Sequence, residues 1–257
     1  MDKTALITGA SSGIGKRLAY HCAEAGDNII LVARRHEKLE VIKQDITEKY
    51  SVNVHVIVSD LTKPGAVNTL LHDIENLGLT VDILINNAGF GGYGFFHEGE
   101  WDKFRDMINL NITALTELTY YLLPPMIARG SGRILNVASM AGFAPGPLQA
   151  VYYATKGYVL SFSEAIYNEL EGTGVTVTTL CPGPTKTEFI ENAGVDGVLA
   201  FKNSACPNKV ARYGYKAMMR GQRLAIPGLY NKFLAQVPRV LPRWLALKIS
   251  RLMEERI

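Results

Sequence analysis

Thr4-Ala5-Leu6-Ile7-Thr8-Gly9-Ala10-Ser11-Ser12-Gly13-Ile14-Gly15 is the stretch that decides the fold. Thr4 to Gly9 is small, apolar and ended by glycine, which predicts a short buried strand. Ala10-Ser11-Ser12 then leads into a helix expected from about Gly13 to Ala25, closed by Gly26. Glycines spaced Gly-x-x-x-Gly-x-Gly let the backbone turn sharply and approach a pyrophosphate, whose charge the helix N-terminus favours. An ordinary tight strand-to-helix turn fits the same residues. Their place on the first strand favours phosphate binding.

Working outward, Asn28 to Arg34 predicts a second strand, His36 to Tyr50 an amphipathic helix and Val52 to Val58 a third, alternating strand. Pro64 suits the first turn of a helix running to about Leu77. Val81 to Asn86 predicts a fourth strand, followed by Asn87-Ala88-Gly89-Phe90-Gly91-Gly92-Tyr93-Gly94. Helix is expected from about Trp101 to Ile127, broken or capped at Pro124-Pro125. Arg133 to Ala138 reads as strand five, Val151 to Leu170 as a long helix, Val175 to Cys181 as strand six and Arg223 to Gly228 as a last edge strand. This alternation predicts an α/β fold: a single Rossmann-type, doubly wound domain over 1–257, its central parallel sheet flanked by helices on both faces. Ligands of such sheets bind beyond the carboxyl ends of the strands.

A chain of 257 residues, 47% apolar and 20% charged, describes a soluble globular protein with a large core. The net charge of +3 gives no reason to expect a nucleic-acid partner. From Asn231 onward six lysines and arginines face two glutamates, so this part carries +4 and the rest −1. Cys22, Cys181 and Cys206 are odd in number and widely spaced, and the five histidines lack ligand spacing, so neither disulfides nor a metal is expected. Met1-Asp2-Lys3 runs straight into the first strand without a signal peptide, and the apolar runs are too short to span a bilayer. A cytoplasmic location is the expectation.

At the end of strand two, where an acid often binds a ribose hydroxyl, stands Val32-Ala33-Arg34-Arg35. A carboxylate would repel a 2′-phosphate, whereas a guanidinium pairs with it, so Arg34 points to NADP rather than NAD. Arg35 reads equally as a solvated helix starter. Asp60-Leu61 follows strand three, where Asp60 fits a helix N-cap as well as a ligand contact. Asn86-Asn87-Ala88-Gly89 follows strand four.

Tyr152 and Lys156 lie four apart on one helix face, with Ser139 thirteen residues upstream of Tyr152. A free tyrosine has a pKa of about 10, and lowering it to about 7 needs about 4 kcal/mol. One ammonium at about 4 Å, at an effective dielectric near 20, supplies roughly that amount. The spacing therefore predicts a phenol made acidic by its lysine. Tyr153, adjacent but off this face, reads as packing or pocket wall.

Together these residues resemble the short-chain dehydrogenase/reductase family over about residues 4 to 190. The resemblance rests on Thr8 to Gly15, on Asn86 to Gly89, on the set Asn111, Ser139, Tyr152 and Lys156, and on Pro182-Gly183. It implies Tyr152 as general acid/base, with Lys156 lowering its pKa and holding the nicotinamide ribose. Ser139 would bind the substrate oxygen, and Asn111 a water linking Lys156 to solvent. It further implies cofactor contacts from Gly9, Ser11, Ser12, Gly13, Ile14 and Gly15, and from Asp60 and Leu61 beside the adenine. Asn87, Ala88 and Gly89 would meet the adenosine ribose, and Pro182, Gly183, Thr185 and Thr187 the nicotinamide end. Many NADP-using relatives carry a base where this chain has Ser12, which leaves the 2′-phosphate chiefly to Arg34. Lys16 reads as solvent-facing, and Pro184 removes a backbone donor.

Phe90, Tyr93, Phe95, Phe96, Phe143, Pro145, Leu148, Phe189, Val198, Leu199 and Phe201 are expected around the substrate, and apolar walls suit a lipophilic carbonyl or alcohol. Residues 183–220 form a lid in the family. Residues 229–257 read as a basic, apolar extension that packs on the body or a partner subunit, roofs the pocket, or lies on an anionic membrane. The expected activity is NADP-dependent interconversion of a carbonyl and a secondary alcohol in a homo-oligomer. The alternative is a dinucleotide-binding regulatory or scaffold protein without catalysis.

Overall fold

The computed structural model describes residues 3–256. Met1 and Asp2, on which the expectation of no signal peptide partly falls, and Ile257, the last residue of the expected extension, lie outside the described residues. The elements run β1 (Thr4–Thr8), α1 (Gly13–Glu24), β2 (Asn28–Ala33), α2 (His36–Lys49), β3 (Val54–Val58), α3 (Ala66–Asn76) and β4 (Ile83–Asn86). Then come α4 (Trp101–Ile108), a π-helical turn (Asn109–Ala114), α5 (Leu115–Ala128), β5 (Gly132–Val137), α6 (Ala150–Glu169) and β6 (Val175–Leu180). The chain continues through α7 (Phe189–Ala193), α8 (Pro207–Met219), β7 (Leu224–Ala225), α9 (Leu229–Leu234), α10 (Val237–Val240) and α11 (Arg243–Met253).

Among the described residues the strands form one parallel sheet in the order β3-β2-β1-β4-β5-β6-β7. Successive side chains alternate between its faces. Ile7, Leu31 and Leu135 pack with Leu18, Ile42 and Met218 of α1, α2 and α8. Leu6, Ile30 and Ile134 pack with Leu70, Met126 and Ile166 of α3, α5 and α6. With both faces covered, the strands are rich in Val, Ile, Leu and Thr, which is why they read so plainly in the sequence. Winding reverses between β1 and β4, which opens a crevice at their carboxyl ends.

Three expectations shift. Helix α3 starts only at Ala66, because Gly65 takes the left-handed conformation (φ 76°) as its N-cap and leaves Pro64 outside. Pro124 and Pro125 do not break α5: both are exposed, and the carbonyls that lose a helical donor belong to exposed Tyr120 and Tyr121. The irregularity lies upstream, in the π turn that carries Asn111.

A buried polar chain ties sheet to helices. Asn86 Nδ2 donates to Asn136 Oδ1 (2.9 Å) and Thr119 Oγ1 (3.1 Å), and Asn136 Nδ2 donates to Ser163 Oγ (2.9 Å). Asn136→Ala strands these partners in the core, so urea unfolding should show a loss of about 1–3 kcal/mol. An unchanged midpoint would mean that the network carries no net stability.

Candidate active site

A cavity of about 1020 Å³ lies beyond the carboxyl ends of the central strands. Its wall includes Gly9, Ser11, Ser12, Gly13, Ile14, Arg34, Asp60, Leu61, Asn87, Ala88 and Gly89, with Ser139, Tyr152, Lys156, Pro182, Gly183, Thr185 and Thr187. Gly15 and Asn111 stand behind that wall. One continuous space thus joins the glycine turn to the Tyr-Lys helix.

At the nucleotide end, glycine is required by close approach. A Cβ on Gly15 would lie 2.3 Å from Asn87 Nδ2 and 2.5 Å from Gly9 O. Asn87 Nδ2 donates to Thr8 O (2.9 Å) and Gly9 O (3.2 Å), and the N–H groups of Asn87 and Ala88 both donate to Thr8 Oγ1 at 3.0 Å. The Asn87 amide therefore clamps β4 to the turn, leaving the ligand to meet backbone. Asp60 Oδ1 accepts from Thr62 N (3.2 Å) and Thr62 Oγ1 (2.9 Å), so it caps that short turn, not a helix. Arg34 is exposed beside the groove, and among the described residues its guanidinium makes no ion pair. Arg35 is engaged: it donates to Ser11 Oγ (2.9 Å) and pairs with Glu188 (2.7 Å), which Lys38 also meets at 2.6 Å. These two cations hold the Glu188 carboxyl down at about 2. Lys16 is half-buried.

At the other end, Lys156 is 5% exposed and donates from Nζ to Val137 O at 2.8 Å. Burial lowers its pKa to about 8. Tyr152 lines the cavity, with Lys156 Nζ 5.9 Å from its ring centroid. Its phenol is pushed up to about 12 by burial, which outweighs the lowering by the Ser139 hydroxyl, and Glu254 adds to the rise. The expectation of a phenol made acidic by its lysine is overturned for the protein alone, because the ammonium bonds a carbonyl and burial dominates. Near neutrality Tyr152 is a proton-bearing acid.

Asn111 is 1% exposed. Its Nδ2 donates to Phe90 O and Thr155 Oγ1, both at 3.0 Å, while Oδ1 accepts from Phe90 N at 3.1 Å. The point where a Cβ on Gly89 would lie is 3.0 Å from Asn111 Oδ1 and 3.4 Å from Lys156 Nζ, so glycine keeps side-chain atoms out from between them. Thr185 Oγ1 donates to Gly183 O at 2.9 Å, and the Thr187 methyl lies 3.0 Å from the Cβ position of Gly13.

Phe90, Phe143, Phe189, Leu199 and Phe201 line the cavity as expected, with Phe189 5.3 Å from the Tyr152 ring. Tyr93, Pro145, Leu148 and Val198 do not line it, and Phe95 and Phe96 point outward, Phe96 stacking on Phe104 at 5.3 Å. Tyr153 lines the cavity and donates its hydroxyl to Glu254. Sequence reasoning did not single out Glu254, Gln149 or Glu188; of its alternatives for residues 229–257, roofing the pocket agrees with Tyr230, Leu234, Ile249 and Met253 lining the cavity. Among the described residues no group of His, Cys, Asp and Glu could hold a metal ion, and no helix is long and apolar enough to cross a membrane.

The sequence profile described as short chain dehydrogenase matches residues 3–197. This chain belongs to the short-chain dehydrogenase family. It is 32% identical over 231 residues to 7beta-hydroxysteroid dehydrogenase of Collinsella aerofaciens, covering 88% of this chain and 86% of that protein. A short-chain dehydrogenase from Sphingobium yanoikuyae, solved in complex with NADPH, superposes with a TM-score of 0.83 at 33% identity, over 89% of this chain and 88% of that one. A solved 7beta-hydroxysteroid dehydrogenase gives 0.85 at 28% identity, over 96% of each. The family places this protein among oxidoreductases acting on alcohol and carbonyl groups.

In the native short-chain dehydrogenase Lys156 loses its proton near pH 8, in the unfolded chain near 10.5. Wild-type stability should therefore rise with pH between these values. Lys156→Met lacks that term. At pH 7 the variant should be more stable in urea by about 1–3 kcal/mol, with the gap narrowing by about pH 10. A variant less stable at both values would mean the ammonium contributes net stability to the fold.

Proposed function

We propose that the protein is an NADP(H)-dependent reductase of lipophilic ketones, interconverting a carbonyl and a secondary alcohol. The observation that carries this reading is that Tyr152, Ser139 and Lys156 line the same cavity as the glycine turn. NADPH, when bound, supplies the hydride. Tyr152 donates the proton to the carbonyl oxygen as that oxygen gains charge, and the Ser139 hydroxyl donates a hydrogen bond to the same atom. Lys156, an ammonium below about pH 8, holds positive charge behind the phenol and binds the ribose beside it. Asn111 positions Lys156 and α6 through Thr155, and a water between its Oδ1 and Lys156 Nζ would reload the proton. The protonated phenol is the form that serves reduction, whereas oxidation needs the phenolate.

Arg34 supports NADP over NAD: among the described residues it makes no ion pair, and it stands at the end of β2, where Arg35 and not a carboxylate follows. The NADPH-bound relative at 33% identity agrees with that choice. Ser11, Ser12, Gly13 and Ile14 are proposed to bind the pyrophosphate, Asp60 and Leu61 the adenine, and Pro182, Gly183, Thr185 and Thr187 the nicotinamide end. Residues 183–220 are assigned as the lid and 229–257 as a second wall of the substrate space. Exposed Tyr120, Tyr121 and Tyr158 on α5 and α6 suit a homo-oligomer in the cytoplasm, and exposed Trp244 and Leu247 with Lys248 suit weak contact with an anionic membrane.

Loss of NADPH absorbance across a panel of aryl, cyclic and 3-oxoacyl ketones tests the activity. Tyr152→Phe should lower kcat about 10²–10⁴-fold, the range of general acid catalysis. Wild type and variant equally inert across the panel would instead favour a binding protein. For the cofactor, Arg34→Ala should weaken NADPH about 10- to 100-fold and leave NADH nearly unchanged. Tighter wild-type binding of NADH than NADPH would refute the NADP assignment.

A further inference from the structure

Glu254, at the C-terminal end of α11, is only 2% exposed, yet among the described residues it makes no ion pair. Its Oε2 accepts from Gln149 Nε2 at 2.5 Å, its Oε1 accepts from the Tyr153 hydroxyl, and its main-chain carbonyl accepts from the Tyr93 hydroxyl at 2.8 Å. Gln149 is 3% exposed, and its Oε1 is buried without a hydrogen-bond partner. Both residues line the cavity, within electrostatic reach of Tyr152. Leu148, immediately before Gln149, holds a left-handed backbone (φ 67°) that a leucine rarely adopts. The chain is strained where Gln149 turns inward.

Burying the Glu254 carboxyl, 2% exposed, costs free energy unless its lone pairs are matched. A carboxylate offers about four acceptor sites, and Tyr153 and Gln149 fill two. The unpartnered Gln149 oxygen adds another acceptor. Acceptors are in excess behind this end of the cavity wall: among the described residues no donor satisfies them, and the buried Gln149 oxygen reaches a ligand only when its side chain turns. A latch joining α11 to α6 would need only the two donors already present, so it accounts for neither the excess nor the strain.

We infer that Glu254 and Gln149 form a polar subsite that takes a hydrogen-bond donor, a hydroxyl or an ammonium, carried by the ketone substrate away from its carbonyl. The inference rests on reading this cavity as the substrate pocket, and it narrows the substrate class to lipophilic ketones with a distal donor. Burial pushes the Glu254 carboxyl up while Tyr153 and Gln149 pull it back, so a bound donor adds to an existing balance.

The test uses ketones matched in size that differ at one distal position, bearing methyl, hydroxyl or ammonium. Wild type should favour at least one donor-bearing ketone by about tenfold or more in kcat/KM, mostly through KM. Glu254→Gln should reduce that preference to within about threefold, and Gln149→Met should reduce it partly. A role confined to structure would lower all three substrates alike and leave the ratio intact, which would overturn the inference. So would a wild type indifferent to the three groups. Preference for ammonium identifies the carboxylate charge as the recognised feature, and preference for hydroxyl identifies neutral hydrogen bonding; both support the subsite. Calorimetric binding of the same ketones to the NADP-loaded protein separates this inference from the activity. Discriminating binding without turnover would keep the subsite and refute the reductase, while binding of none would overturn the subsite.

Discussion

A lysine ammonium buried at the end of β5 is the constraint on which the site depends. Lys156 cannot be removed from water without a partner, and the Val137 carbonyl supplies one at 2.8 Å. That contact fixes α6 against the sheet, and the helical repeat then carries Tyr152 one turn back onto the same face, toward the cavity. Gly89 must lack a side chain because Lys156 Nζ and Asn111 Oδ1 crowd its Cβ position. The π turn rotates Asn111 inward, where it ties the Phe90 loop to Thr155. Gly9 and Gly15 of the first turn obey a parallel constraint, since Asn87 occupies the space their side chains would need. Both ends of the cavity are thus built by excluding atoms as much as by placing them.

Most of the architecture was legible because the buried parallel strands are short runs rich in apolar and β-branched residues. Residues 28–33, 132–137 and 175–180 each read as a short run bounded by turn residues. The Tyr152–Lys156 pair and the glycine turn were legible because each is a local spacing, and the structure brings both to one cavity. The π turn was not: no glycine or proline marks Asn109 to Ala114, whereas the prolines that suggested a break face solvent harmlessly. Spacing also gave the proximity of Lys156 to Tyr152 but not their burial, and burial decides the direction of the phenol's pKa.

The contacts that shape the substrate end were hidden for a different reason. Glu254 meets Tyr153 across 101 residues and Gln149 across 105, and Lys38 meets Glu188 across 150. No local pattern announces such pairs. Phe95 and Phe96 illustrate the reverse error, since aromatic residues beside a glycine-rich loop suggested a pocket wall while the loop turns them outward. The C-terminal helices read as a basic amphipathic segment of open purpose. Their inner residues, among them Ala246, Ile249 and Met253, prove to line the cavity, while Trp244 and Leu247 remain exposed.

The central claim is that burial keeps the Tyr152 phenol protonated at neutral pH, making it the proton donor to a ketone. Carbon NMR of protein labelled at tyrosine Cζ, with Tyr152→Phe to assign the resonance, measures that ionisation directly. In the protein without cofactor, the Tyr152 resonance should stay at its protonated position to beyond pH 10. Ionisation between pH 6 and 8 would contradict the account, placing the influence of Lys156 above that of burial.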